Sequence, residues 1–266
     1  MSVLNNLNWP VQYLPERKLP VPHSLEHKQV LALTTSRDGG VSLPPYDSFN
    51  LGSHVGDNPI HVQRNRDLLL NSLPKNTQLQ WLNQVHGNIV ADISQVQTTP
   101  ITADAAFTNR KNIALAILTA DCLPILLVNE QGTEIAAIHG GWKPLAANII
   151  ENTLAKFQST DIHAWLGPCI GKHAFEVGVE VKQHFIAVDE ELNKAFLLQT
   201  NGKYLADLHF IATYLLNILD VKTVSTMPEC TVSSRNDGNN QGRDKYFSYR
   251  RDGQTGRMAS VICISS

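Results

Sequence analysis

Long hydrophobic runs are missing from this 266-residue chain. No apolar stretch approaches the roughly 20 residues that span a bilayer, which argues against a membrane helix. An excess of charge is missing too. The formal net charge is -2, the pI is about 6.5 and 17% of residues are charged, so neither nucleic acid nor a membrane surface is expected as a partner. Cysteine is sparse. The four cysteines are scattered without paired spacing, which excludes a disulfide framework and suits a reducing compartment. The first residues lack a basic segment followed by an apolar one, so no secretory signal is expected and the location expected is cytoplasmic. A chain of this length can bury a sizeable core without covalent staples. No repeat or low-complexity linker divides it. One domain over 1–266 is expected, with the Pro- and Asn-rich residues 1–28 as a surface extension.

What the chain does have is concentrated between Asn112 and Trp142. Apolar runs at Ile113–Leu118, Leu123–Val128 and Ile135–Ile138, each bounded by turn residues, read as buried strands. Cys122 and His139 therefore fall at strand ends. His86 lies beside Gly87 at the end of a strand-like piece that begins at Leu79. Elsewhere Asn58-Pro59 starts a helix whose apolar period runs through Val62, Leu69 and Leu73. Leu145, Ile149, Ile150, Leu154 and Phe157 read as one amphipathic helix, and Asp207 caps another carrying Leu208, Ile211, Leu215 and Ile218. Glu180–Phe185 and Glu190–Phe196 read as helical pieces and Thr223–Thr226 as a strand. Ser233–Asp244 is a polar loop, and Phe247–Arg250 with Met258–Ile264 reads as a closing pair of strands. Mixed strands and helices indicate an α/β (α+β) fold with layered, mixed sheets rather than a doubly wound one.

Zinc takes Cys sulfur and His nitrogen, and catalytic sites combine three protein ligands with an open position. His86, Cys122 and His139 supply such a set, although their spacing is not that of a local finger, and a Cys in an apolar stretch also serves as a small core residue.

Several motifs occur in order: Asn50-Leu51-Gly52 with His54-Val55-Gly56-Asp57, Gln84-Val85-His86-Gly87, Thr119-Ala120-Asp121-Cys122-Leu123-Pro124, His139-Gly140-Gly141-Trp142, Gly167-Pro168 and Ser248-Tyr249-Arg250. Together, from about Arg37 to Ile264, the chain resembles the laccase-domain (YfiH-like) family, whose members are also called polyphenol oxidases or purine nucleoside phosphorylases. One departure is Gly140, where the family usually has Ala. The resemblance implies a single layered α-β-β-α domain. It implies a zinc ion, with copper as the alternative, on His86, Cys122 and His139, which would also be the catalytic residues. It implies phosphorolysis of adenosine, inosine, guanosine and methylthioadenosine, and deamination of adenosine. A nucleoside and phosphate would be the small-molecule partners of a monomer or small homo-oligomer. Other relatives are described as peptidoglycan editing factors, acting on a muropeptide amide, or as copper-dependent phenol oxidases; a metal-stabilised binding protein is the non-enzymatic alternative. A four-electron oxidase needs a copper cluster, which one His-Cys-His set cannot hold.

Further roles are expected of particular residues. Arg37 and Arg250 are the phosphate-binding candidates, because a guanidinium grips phosphate as a fork. Asp121 is the candidate proton shuttle and Gln84 the candidate orienter of His86. Trp142, Phe247 and Tyr249 could stack on a purine. Cys169, Cys230 and Cys263 are expected chiefly to pack.

Overall fold

The computed structural model describes residues 11–13, 30–236 and 242–265. It begins with strands β1 (Val11–Tyr13) and β2 (Val30–Thr35) and helix α1 (Pro59–Ser72). Short strands follow: β3 (Gln78–Gln80), β4 (Leu82–Asn83), β5 (Val90–Asp92), β6 (Ile101–Thr102) and β7 (Ala105–Thr108). Then come three longer ones, β8 (Ile113–Thr119), β9 (Leu123–Asn129) and β10 (Ile135–Gly140), and short helices α2 (Trp142–Ala146) and α3 (Ile149–Leu154). Strand β11 (Ile162–Leu166), β12 (Glu176–Val177) and helix α4 (Val179–Ile186) lead into a 3-10 helix at Glu190–Ala195. The rest comprises β13 (Phe196–Leu198), β14 (Tyr204–Ala206), α5 (Leu208–Ile218), β15 (Thr223–Thr226), α6 (Tyr249–Asp252) and β16 (Met258–Ile264).

Two sheets dominate, in the orders β1-β2-β16-β8-β3 and β15-β11-β9-β10-β7-β5. Both are mixed. In the first, β16 runs antiparallel to β2 and β8 while β3 is parallel to β8. In the second, β9 is antiparallel to β10 and β11, while β15 and β5 run parallel to their neighbours. Period-two alternation sorts the side chains into layers. Leu115 and Ile117 of β8 meet Leu126, Val128, Ile135 and Ala137 between the sheets. The alternate residues Ala114, Ala116 and Leu118 pack under α1 through Leu69 and Leu73. On the second sheet Leu123, Ile125 and Leu127 face the other way, toward a layer that includes Leu145, Ile149, Ile211 and Leu215. The order is thus α-β-β-α. Strands covered on both faces have no polar alternation, which is why β8, β9 and β16 are apolar almost throughout and buried at every position. Cutting Ile117 to Ala in the inter-sheet layer should cost about 2–5 kcal/mol.

The caps follow the sequence. Asn58 Oδ1 accepts the Ile60 N–H at 2.9 Å and Asp207 Oδ1 accepts the Phe210 N–H at 3.0 Å. Two segments differ from expectation. Residues 145–157 form no single helix: Asn148 takes a left-handed conformation, φ 63, which Asn tolerates, and breaks the run into α2 and α3 while Leu145, Ile149 and Ile150 still reach the core. Phe247–Arg250 is no strand; Ser248 Oγ accepts the Arg251 N–H and starts the short helix α6, with Phe247 buried beneath it. Within 1–28, taken as a surface extension, Val11–Tyr13 forms a sheet strand parallel to β2, and the remainder of 1–28 lies outside the described residues. The four cysteines are free thiols, and among the described residues no helix is long and apolar enough to cross a membrane.

Candidate metal centre and its cavity

Strands β8 and β9 are consecutive in sequence but lie in different sheets, so Ala120-Asp121-Cys122 is the crossing between the two layers. The crossing is braced. Asp121 has a left-handed φ of 98. Its Oδ1 accepts the Thr231 hydroxyl at 2.6 Å and its Oδ2 accepts the Arg250 N–H at 2.6 Å. Its carbonyl accepts the Ile170 N–H at 2.8 Å. The next residue, Cys122, is thereby presented just ahead of the first residue of β9. His139 stands near the end of β10, opposite Pro124 of β9. His86 occupies a turn with a left-handed φ of 59, uncommon for a residue other than Gly.

One carboxylate arranges both histidines. Asp104 is fully buried. Its Oδ1 accepts the His86 N–H at 2.9 Å and meets His139 Nδ1 at 2.7 Å. Its Oδ2 accepts the Val85 and Gly87 N–H groups at 3.2 and 2.6 Å. A carboxylate on Nδ1 fixes the imidazole tautomer and leaves Nε2 as the ligand atom, the usual outer support of a metal-binding histidine.

The ligand atoms of His86, Cys122 and His139 lie within 4.8 Å of one another. Cys122 Sγ is 3.8 Å from His86 Nε2. Bond lengths of about 2.3 Å to sulfur and 2.0–2.1 Å to nitrogen at tetrahedral angles would set that separation at about 3.6 Å, so the three residues fit a single metal ion. Burial opposes charge on both Cys122 and His139. Even so, the facing imidazole pulls the Cys122 thiol down to about 6, and the thiolate with Asp104 pushes His139 up to about 9. The thiolate is the form that ligates. Gly141 leaves the room this needs: a Cβ there would sit 3.2 Å from both Cys122 Sγ and His86 Cδ2.

The three residues line a cavity of about 340 Å³, within the range of small-molecule sites, roughly 300–1,000 Å³. Leu118, Ile170 and Phe175 supply apolar wall, and His54, Tyr249, Arg250 and Arg257 supply the polar and aromatic part. Of the residues singled out in the sequence, His86, Cys122, His139, Arg250, Tyr249, Gln84 and Asp121 meet here. Gln84 and Asp121 do different work from that expected. The Gln84 amide accepts the Leu118 N–H and donates to the Leu118 carbonyl, both at 2.8 Å, so it ties down β8 rather than His86. The oxygens of Asp121 are taken by Thr231 and Arg250. Arg37 does not line the cavity. Its guanidinium lies against Phe247 and bonds Asp47, an ion pair within the 37–48 loop. Trp142 packs beside His184 and Phe247 is core. Cys169 and Cys263 are buried, and Cys230 Sγ accepts the Gly171 N–H. Sequence reasoning missed Asp104, Phe175 and Arg257 altogether and gave His54 no role. Only His54, inside a quoted motif, had a signal that could have found it.

Residues 31–265 match the family described as multi-copper polyphenol oxidoreductase laccase. The chain is 44% identical over 249 residues to the protein named purine nucleoside phosphorylase YfiH of Escherichia coli K12, covering 93% of this chain and 99% of that one. It is 44% identical over 239 residues to a purine nucleoside phosphorylase of Haemophilus influenzae, covering 88% and 94%. Among solved structures, a Neisseria meningitidis protein superposes with a TM-score of 0.83 at 40% identity, covering 90% of this chain and 95% of that one. Bacillus licheniformis YfiH, titled a hypothetical protein, gives 0.80 at 28% identity, covering 89% and 93%. The chain belongs to the multi-copper polyphenol oxidoreductase laccase family, the group that contains the YfiH proteins.

Proposed function

We propose that this protein is a metal-dependent purine nucleoside phosphorylase. The observation that carries the reading is the His86–Cys122–His139 group on the wall of a cavity that also offers apolar and aromatic surface for a base and guanidinium groups for an anion. The relatives named purine nucleoside phosphorylase, aligned over 93% of the chain, support it. In phosphorolysis, orthophosphate oxygen bonds to the ribose anomeric carbon. The bond from that carbon to the purine nitrogen breaks, and the purine leaves with the electron pair and takes up a proton. The products are a free base and ribose 1-phosphate.

The chain's part is to bind and orient. Phe175 and Tyr249 present ring surface to a base. Arg250 donates from Nη1 to the Ala174 carbonyl and from Nη2 to the Glu176 carbonyl, which holds its guanidinium at the cavity wall. His86, Cys122 and His139 would hold the metal, zinc by the preference of a mixed N/S donor set, and such an ion supplies Lewis acidity and can lower the pKa of water to about 7. Adenosine, inosine, guanosine and methylthioadenosine are the proposed substrates, and deamination of adenosine is a second activity proposed for the same cavity. Among the described residues one His/Cys/Asp/Glu group has metal-binding geometry, which favours this chemistry over four-electron oxygen reduction by a copper cluster.

The test is chromatography of zinc-loaded, copper-free protein incubated with adenosine, with and without phosphate. Adenine and ribose 1-phosphate should appear only with phosphate, and inosine in either tube would report deamination. No conversion in either tube overturns the reading and points to a muropeptide amide or a binding role.

A further inference from the structure

A second hollow of about 360 Å³ adjoins the cavity, and His54, Tyr249 and Arg257 line both. They form a partition between the two spaces. Arg257 makes no direct ion pair among the described residues, although the charges of Cys122 and Asp121 reach it at longer range. Its Nη1 donates to the Thr255 and Gly256 carbonyls at 3.0 and 2.9 Å, while Nε and Nη2 have no acceptor among the described residues. Arg66 is likewise bonded only to neutral groups, the Leu51 carbonyl and Ser53 Oγ, and lies over the Trp81 ring. The oxygens of Asp121 are hydrogen-bonded to Thr231 and the Arg250 N–H, so this carboxylate acts on Arg257 only through space. Burial lowers Arg257 against the pull of Cys122 and Asp121, and brings Arg66 down to about 10; His54 is lowered by burial and then by those two guanidinium groups.

The surrounding backbone is shaped to hold Arg257 in this position. Asn50 Oδ1 accepts the N–H of Gly52 and that of Arg257, both at 2.9 Å. A Cβ on Gly52 would lie 2.8 Å from Arg257 Cγ, so glycine at this point makes room for the arginine stem. Neither Nε nor Nη2 is buried without a partner, so both stay open to an anion that enters the cavity.

We propose that Arg257 and His54 form an oxyanion subsite at this partition, which takes a phosphate group in the fork of Nε and Nη2. Its identification with the site of the phosphate co-substrate rests on the phosphorylase reading; the subsite itself does not. Arg250, with two of its donors already on backbone carbonyls, is then a wall residue rather than the main phosphate ligand. The phosphate group has two possible sources, free orthophosphate or a phosphate ester on the nucleoside.

The experiment is calorimetric titration of the metal-loaded full-length protein with inorganic phosphate and, separately, with adenosine 5′-monophosphate. Wild type is compared with Arg257→Gln, His54→Gln and Gly52→Ala. Losing two charge-assisted hydrogen bonds should weaken phosphate binding about 100- to 10,000-fold in Arg257→Gln. Gly52→Ala, which keeps every charge and displaces the guanidinium, should weaken it too, and it carries the test with His54→Gln if Arg257→Gln fails to fold. In turnover, the KM for phosphate should rise by the same factor in Arg257→Gln while that for adenosine stays near wild type. Dependence on Arg257 seen with the monophosphate but not with orthophosphate supports the subsite and assigns it to a substrate-borne phosphate. Phosphate binding that needs Arg257 in a protein that does not convert adenosine keeps the subsite and removes the phosphorylase reading. Turnover with phosphate binding and KM unchanged in Arg257→Gln and Gly52→Ala overturns the subsite and leaves that reading standing.

Discussion

Replacing Asp104 with Asn removes one charge and one acceptor from the most connected side chain of the centre. The carboxylate accepts four donors: His86 N–H and His139 Nδ1 at Oδ1, Val85 N–H and Gly87 N–H at Oδ2. An amide can satisfy only one of these pairs. If its oxygen takes the Oδ1 position, the NH2 points at two backbone N–H groups; if it flips, the NH2 points at His86 N–H and His139. Either way two donors, at least one of them only part-buried, lose their acceptor, at roughly 1 kcal/mol or more each. For a chain of this size that converts to about 2–4 °C in Tm per kcal/mol. Outer-shell substitutions of this kind weaken metal binding about 10- to 100-fold. The assay is competition for zinc against a chromophoric chelator, alongside calorimetric melting of the metal-free protein. Both quantities should fall. Wild-type zinc affinity in Asp104→Asn would refute the claim that this carboxylate organises the histidines. A loss of stability with unchanged affinity would confine its role to tying the 85–87 turn.

Three further outcomes are expected. Cys122 lies half-buried at the cavity wall rather than in the core, so Cys122→Ala should abolish tight zinc binding and turnover while changing the melting temperature of the metal-free protein little; unfolding of the variant would mean a structural metal instead. In metal-free protein the depressed thiol, at about 6, implies that alkylation of Cys122 by iodoacetamide rises through pH 6, since the reactive thiolate is present above the folded pKa and lost below it. A midpoint near the ordinary cysteine value of about 8.5 would contradict the facing imidazole as its cause. Asp121→Asn should destabilise the crossing by only about 1 kcal/mol, because the amide oxygen can keep the Arg250 N–H while the Thr231 hydroxyl turns to accept from the NH2, and what is lost is the charge assistance of the two bonds. A pH–rate profile altered at wild-type stability would restore Asp121 as a proton shuttle.

Much of this protein is readable from its sequence, because the relevant physics is local. Seven-residue apolar runs such as Ile113–Thr119 and Leu123–Asn129 have few alternatives to a doubly covered strand, and Asn58-Pro59 or Asp207 satisfy helix N–H groups within three residues of themselves. His86, Cys122 and His139 stand out because their donor chemistry is unusual beside turns. What the sequence could not convey is which long-range partner each polar group finds. Asp104 is an ordinary Asp between short strands until the fold brings it to a histidine 35 residues away. Asp121 looks like a free carboxylate beside a ligand until Thr231 and Arg250 claim both oxygens, and Arg37 looks like a phosphate ligand until Asp47 takes it. Arg257 is set by Asn50 across 207 residues. Periodicity and capping are written in neighbouring residues, whereas pairing of charges and donors depends on burial and on distances that only the packed layers define.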